Sequence, residues 1–173
     1  MAKWLRRIGG ALLALLVISI AVFSFLISRN APCGQPVATA GSASTIRAVM
    51  RRCYGPPEVL TVEQVVKPVP ADDQMLVRVR AAGINPVEWH TVRGEPYIMR
   101  IGAGFGTPSD PHLGNDFSGT VETVGRKVSR FKPGDEIFGG RSGALAEYVL
   151  VKETGSIALK PANISFEQAG ATN

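Results

Sequence analysis

Few side chains in this sequence could carry chemistry, and most of them lack a partner at a useful spacing. There are two histidines and two cysteines among 173 residues. Cys33 and Cys53 show nothing like the closely spaced Cys or His pairs of a structural zinc site. Both are expected to be free thiols, one in a linker and one half-buried at the end of a strand. His90 falls in a short predicted helix, where an imidazole can donate a proton or a hydrogen bond to a carbonyl oxygen. The plainer alternative is a semi-exposed helix residue. His112, between Pro111 and Leu113 at a loop end, is expected to take no part. Asn85 stands where a helix N-cap would, with Pro86 at the first turn. Asp116 is expected to make structural hydrogen bonds. The run Gly102-Ala103-Gly104-Phe105-Gly106 invites a dinucleotide reading, but it is G-x-G-x-G followed by Thr107-Pro108 and cannot open the helix that the fingerprint requires. It reads as a loop.

The elements that must position these residues are mostly strands. His112 to Gly139 reads as a strand (Phe117–Val124, rich in Phe, Val and Thr), a turn, and a second strand through Ile137 and Phe138. Between them, Lys132-Pro133-Gly134-Asp135 suits a type II turn. Ile46–Cys53 and Leu60–Val66 make a hairpin-like pair around Gly55-Pro56-Pro57. Residues 75–82 alternate cleanly, with Met75, Val77, Val79 and Ala81 on one face and Arg78 and Arg80 on the other. Residues 94–111 are turn-rich and expected on the surface as a loop, and Ala144–Val151 is another strand. Ser165 and Gln168 are spaced as a capping box that opens a final helix. Many short strands with incidental helices predict an all-β barrel.

Composition narrows the function. The net charge is +5, but Lys3, Arg6, Arg7 and Arg29 lie in the first 30 residues, which hold no acid. The other 15 of the 19 basic residues face all 14 acids, so the remainder is nearly neutral. A nucleic-acid-binding domain would need a basic face, and none is expected here.

Ile8–Ile27 is uncharged throughout. At about 1.5 Å per residue it spans roughly 30 Å as a helix, the hydrocarbon thickness of a bilayer. Trp4 sits where an interfacial anchor would. A membrane anchor is favoured over a cleavable signal because the apolar core is longer than a signal's and small residues follow late. The basic residues before the span favour a cytoplasmic N-terminus, with the domain on the other side. That sits awkwardly with a cytoplasmic supply of reduced nicotinamide. The expected organisation is a single-pass anchor over residues 1–29, a flexible linker over 30–45, a barrel over 46–160, and the start of a further helix over 161–173.

Five segments carry a resemblance: GNDFSGTVETVG with RFKPGDEIFG, RCYGPPEVLTVEQ (52–64), LVRVRAAGINPVEWHTVRGE (76–95), GALAEYVLVKE (143–153) and KPANISFEQA (160–169). In this order and spacing the chain resembles the medium-chain dehydrogenase/reductase family, in its quinone-oxidoreductase-like branch. The resemblance implies a GroES-like, partly open barrel, the catalytic half of these enzymes. It implies NADPH as cofactor, held on a Rossmann domain that would follow Asn173, so that the chain alone is expected to be inactive and unable to bind the nucleotide. Zinc-dependent relatives carry a cysteine where this chain has Asn85, and Gly-His-Glu where it has Gly114-Asn115-Asp116. Amides are poor zinc ligands, so no zinc is expected. In zinc-free relatives the residue matching Asn85 lines the cleft near the nicotinamide. His90 matches a position usually held by an aromatic hydroxyl, and Asp116 falls at the substrate cleft.

The function implied is reduction of quinones, enones or related carbonyls on a small-molecule substrate once a Rossmann domain completes the cleft. The alternative is a non-catalytic, membrane-tethered β-barrel serving as a binding or scaffold module. A co-chaperonin shares only the fold resemblance. An isolated barrel is expected to expose an apolar patch and to self-associate.

Overall fold

A computed structural model describes residues 2–36 and 44–172. Helix α1 (Ala2–Ser28) is followed by β1 (Thr45–Arg51), β2 (Leu60–Val66), β3 (Gln74–Ala82), α2 (Pro86–Arg93), a 3-10 turn at Tyr97–Met99, and α3 (Arg100–Ala103). Then come β4 (Asp116–Val124), β5 (Glu136–Gly140), β6 (Tyr148–Lys152), β7 (Ile157–Leu159) and α4 (Phe166–Gly170). The expected mainly-β architecture with short helices behind one long apolar helix is what forms.

Two antiparallel sheets make the barrel, one of β1–β2 and one in the order β6-β3-β4-β5-β7. They are joined through β1. Val49 N donates to Leu145 O, Glu147 N to Arg47 O, and Arg51 N to Pro111 O. The segment Ala144–Glu147, expected as the front of a strand, is instead used for this bridging, and regular pairing of β6 with β3 begins only at Tyr148. The core is Met75, Val77, Phe117, Val121, Phe131, Ile137, Ala144, Val149 and Val151. Met75 and Val77 face it as the alternation requires. Leu76, on the opposite face, is buried as well, so β3 is covered on both sides at its start. Gly134 takes φ +92° and Asp135 N donates to Lys132 O, the type II turn expected there.

Two expectations fail where the end of α1 meets the barrel. Cys33 and Cys53 are not free: they form a disulfide with Cα atoms 4.6 Å apart, within the range a bridge tolerates. The chain after α1 folds back onto the barrel instead of trailing from it, which brings the two thiols together. Of the expected linker, residues 37–43 lie outside the described residues. Its start is pinned, with Ala31 N donating to Gly106 O at 2.9 Å. Likewise 94–111 is no simple surface loop, because it contains α3 and a guanidinium, Arg100, that is 1% exposed.

Arg100 binds only backbone carbonyls: Gly94 (2.8 Å), Arg93 (3.1 Å), Ile27 (3.2 Å) and Arg29 (3.1 Å). The Tyr54 ring lies 4.3 Å from its guanidinium carbon, and the Tyr54 hydroxyl donates to the Ala103 and Gly104 carbonyls. Burial raises the Tyr54 phenol above its ordinary range, against the pull of Arg51 and Arg100. Gly94 is required here. It takes φ +64° to end α2, and a Cβ would lie 2.5 Å from the Tyr54 ring.

Two consequences can be measured. Closing a loop of 20 residues stabilises a fold by about 3 kcal/mol. The Cys33–Cys53 peptide should therefore appear in non-reducing digests, and C33A should lower unfolding stability by about that amount. On the β1–β2 hairpin, a hydrogen bond from Arg52 holds the Glu63 carboxyl below its ordinary range, against burial and with help from the Thr61 hydroxyl. A carboxyl depressed by folding stabilises fully above the unfolded range and loses that contribution as pH falls through its folded value. E63Q should cost about 1–3 kcal/mol at neutral pH, and the gap to the unmodified protein should close on acidification in thermal unfolding.

Candidate functional site

Helix α2 starts where β3 ends, and its cap organises the site. Asn85 is the N-cap. Its Oδ1 accepts from Val87 N at 2.7 Å, and Glu88 Oε2 accepts from Asn85 N at 2.9 Å, completing a capping box. The N-x-x-E spacing of Asn85 and Glu88 signals that box in the sequence. Across the sheet, the Asn85 side-chain amide donates to Asp116 Oδ2 at 2.5 Å, and Glu88 Oε1 accepts from the Asn115 amide at 2.8 Å. Asp116 and Glu88 are both buried. Gly83 N also donates to the Asp116 carbonyl. Four polar side chains from α2 and the start of β4 thus form two crossed amide–carboxylate pairs.

Asn85 and Asp116 are therefore brought together, and Glu88 and Asn115 join them. Neither of the latter two stands out in the sequence as part of one site, because their pairing joins residues far apart in the chain. The Asn85 amide has two N–H groups. One is directed at Asp116, and the other has no protein acceptor among the described residues. A carboxylate that fixes the amide plane also fixes where that second donor points.

His90 is not part of this network. Its Nδ1 lies 2.8 Å from the Glu95 carbonyl, and its ring meets Trp89 edge-on. A carbonyl only accepts, so Nδ1 carries a proton and the neutral ring presents an unprotonated Nε2. In that tautomer His90 accepts hydrogen bonds and becomes a donor at Nε2 only as imidazolium. Five residues of helix also turn it about 140° away from the cap.

Beside α2 lies a cavity of about 190 Å³, with Leu60, Ile84, Trp89, Val92 and Leu113 on its walls and Glu88 among its lining residues. A second hollow, about 260 Å³, holds Asp110, His112 and Ser142. There Asp110 Oδ1 lies 2.7 Å from His112 Nδ1, and the Ser142 hydroxyl donates to Asp110 Oδ2. Burial pushes the Asp110 carboxyl up, but bonds from the His112 backbone and ring and from Ser142 outweigh it and leave the group below its ordinary range. The serine is bonded to the acid and not to the imidazole, so this is no nucleophile–base arrangement. His112 is engaged structurally.

Among the described residues no group of three or more His, Cys, Asp or Glu converges as metal ligands. At the α2 cap the donor set is a carboxylate already bonded to an amide, a poor match to zinc. Nor do Gly102–Gly106 form a nucleotide cradle, since Gly102 and Ala103 end the four-residue helix α3 and Gly104–Gly106 run into an irregular turn.

The pairing can be tested by swapping its partners. N85D keeps a capping oxygen but sets two carboxylates at hydrogen-bond distance, where both cannot remain ionised. It should lose about 1–3 kcal/mol at neutral pH, and part of that should return as the solution is acidified. The double variant N85D/D116N restores an acid–amide pair and should recover most of the loss, as read by chemical denaturation of the unmodified protein, N85D, D116N and the double variant.

The comparisons with known proteins agree with this architecture. A family model described as the alcohol dehydrogenase GroES-like domain matches residues 71–161. Quinone oxidoreductase of Mus musculus is 38% identical over 130 residues, covering 73% of this chain and 37% of that protein. The 2-methylene-furan-3-one reductase of Solanum lycopersicum is 33% identical over 157 residues, covering 83% and 38%. Among solved structures, the quinone oxidoreductase from Coxiella burnetii matches with a TM-score of 0.65 at 30% identity, covering 73% of this chain and 40% of that one. The Escherichia coli quinone oxidoreductase complexed with NADPH matches with a TM-score of 0.63 at 29% identity, covering 73% and 37%. The chain thus spans well under half the length of the curated relatives it matches.

Proposed function

The chain belongs to the alcohol dehydrogenase GroES-like domain family, and we propose that it is the substrate-side domain of a membrane-tethered, zinc-independent oxidoreductase that reduces quinones, enones or related carbonyls with NADPH. The observation that carries this is the Asn85–Asp116 pair, which leaves one oriented amide N–H without a protein acceptor among the described residues, on a helix cap whose Ile84 and Glu88 line an apolar cavity. Such a donor suits a carbonyl or quinone oxygen that gains negative charge as hydride arrives, and orientation by Asp116 removes the cost of reorganising it. Apolar walls at Ile84, Trp89 and Leu113 suit a ring or an unsaturated chain. The names of the relatives, quinone oxidoreductase and 2-methylene-furan-3-one reductase, fit the same chemistry.

NADPH supplies the hydride when bound. The described residues do not form its cradle, so the proposal assigns nucleotide binding to residues outside this segment, on the same protein or on a second chain. Asn85 then binds and orients the substrate oxygen as the catalytic residue. Asp116 is its positioning residue. His90, with Nδ1 bonded to the Glu95 carbonyl, offers Nε2 as an acceptor in its neutral form and as a donor only as imidazolium.

The tether is α1. Arg6–Ser28 is long and apolar enough to cross a membrane, with a mean hydropathy of 2.8. The disulfide fits an oxidising compartment, the same side that the basic N-terminal flank favours for the barrel.

Thermal unfolding of the full chain in detergent tests the substrate half of this proposal. A benzoquinone or enone at about ten times its dissociation constant should raise stability by about 1.4 kcal/mol, while NADPH alone should leave it unchanged. N85A should abolish the ligand effect beyond its own capping loss of about 1 kcal/mol. Protection that is absent, or that survives N85A, would favour the tethered binding or scaffold module over the reductase.

A further inference from the structure

We infer that Tyr97–Gly106 is a membrane-surface contact, seated in the lipid headgroup region where α1 leaves the bilayer. The inference rests on the anchor reading of α1 and deepens it: the barrel does not swing on a tether but lies with this segment against lipid. Substrate dissolved in the membrane would then reach the α2 side of the barrel without crossing water.

The surface is apolar where a soluble domain's would be mixed. Tyr97, Ile98, Met99, Ile101 and Phe105 lie within nine residues, and each is at least 39% exposed. Contiguous exposed apolar side chains mark a partner surface. The structure says which partner, because the segment is bonded to the end of the membrane span. Arg100, in its middle, donates to the Ile27 and Arg29 carbonyls, and Gly106 O accepts from Ala31 N. Ile27 is 5% exposed, whereas the neighbouring apolar residues of α1 are bare.

Each of the five side chains sits within three residues of Arg100 or Gly106, so at ~3.5 Å per residue each begins within about 10 Å of the bond that ties it to the span. The headgroup layer is about 5–8 Å deep on each side. The segment therefore lies at or immediately beside the interface if α1 spans. Its chemistry agrees. Tyr97 and Phe105 are aromatic, and the Arg29 guanidinium lies over the Phe25 ring at 5.3 Å, at the end of α1. Aromatic residues and basic anchors together make the belt found at membrane–water boundaries.

The test uses the full chain in phosphatidylcholine–phosphatidylglycerol vesicles. Trp4 and Trp89, the two tryptophans, are first changed to Phe. A single reporter is then introduced as I98W, F105W or, as a control in the exposed turn between β4 and β5, K132W. Bromine-labelled lipid should quench the reporters at positions 98 and 105 several-fold more strongly than the one at 132. Adding M99E/I101E should bring the F105W quenching down to the control level while the protein still floats with vesicles. Equal quenching at all three positions in protein that floats would overturn the membrane contact and leave the anchor intact. Shielding of positions 98 and 105 that depends on protein concentration and not on lipid would assign the patch to a second copy, and overturn it too. Failure to float would sink the anchor reading itself, and the inference with it.

Discussion

One buried cation, Arg100, fixes how the end of α1 is joined to the barrel. Arg100 is enclosed without a carboxylate partner, an arrangement that costs several kcal/mol unless other dipoles replace water. They do: four carbonyls from two stretches of chain converge on its donors, and the Tyr54 and Tyr97 rings lie within 5 Å of the guanidinium carbon. Neutral acceptors leave the charge unpaired but also leave no one contact dominant. The end of α1, the end of α2 and the segment after α2 that carries Arg100 are consequently held as one unit.

The same constraint reaches the candidate site. Two of the carbonyls bound by Arg100 belong to Arg93 and Gly94, at the carboxyl end of α2. At its amino end α2 is held by the Asn85–Glu88 box and by bonds to Asn115 and Asp116 of the neighbouring strand segment. An eight-residue helix is too short to be stable by itself. Fixed at both ends, it holds the Asn85 amide in place, and a donor aimed in advance is what stabilisation of developing charge requires. A cap, ordinarily a device for helix stability, is here also the part of the molecule best suited to touch a substrate oxygen.

What the sequence disclosed follows the range of the forces involved. The bounds of β2, the Ser165–Gln168 box, the type II turn at Gly134 and the inward face of β3 depend on near neighbours, and each is visible in a few adjacent residues. The disulfide was not visible, because Cys33 reaches Cys53 only after α1 has docked. Arg100 was equally hidden, since a lone arginine in a glycine-rich run reads as solvated until its acceptors, more than 70 residues upstream, are known. At the site, Asn85 was legible as a cap and Asp116 as a structural acceptor, but their mutual bond spans 31 residues. His90 illustrates the converse. Its residue type suggests a proton donor, and the geometry of Glu95 assigns the opposite tautomer.

The disulfide and the proposed chemistry pull towards different compartments, since a structural disulfide wants an oxidising one and hydride transfer draws on reduced nicotinamide. The fold reconciles them in part. Docking of residues 27–31 uses three hydrogen bonds independent of the bridge, two from Arg100 and one from Ala31 N. A reduced chain would therefore lose stability of about 3 kcal/mol, mostly by freeing its unfolded state, and would keep the native arrangement around Arg100. The bridge reinforces a geometry that it does not create. Compartment then sets how stable the barrel is, while the orientation of α2 and of the Asn85 amide follows from Arg100 and the cap in either compartment.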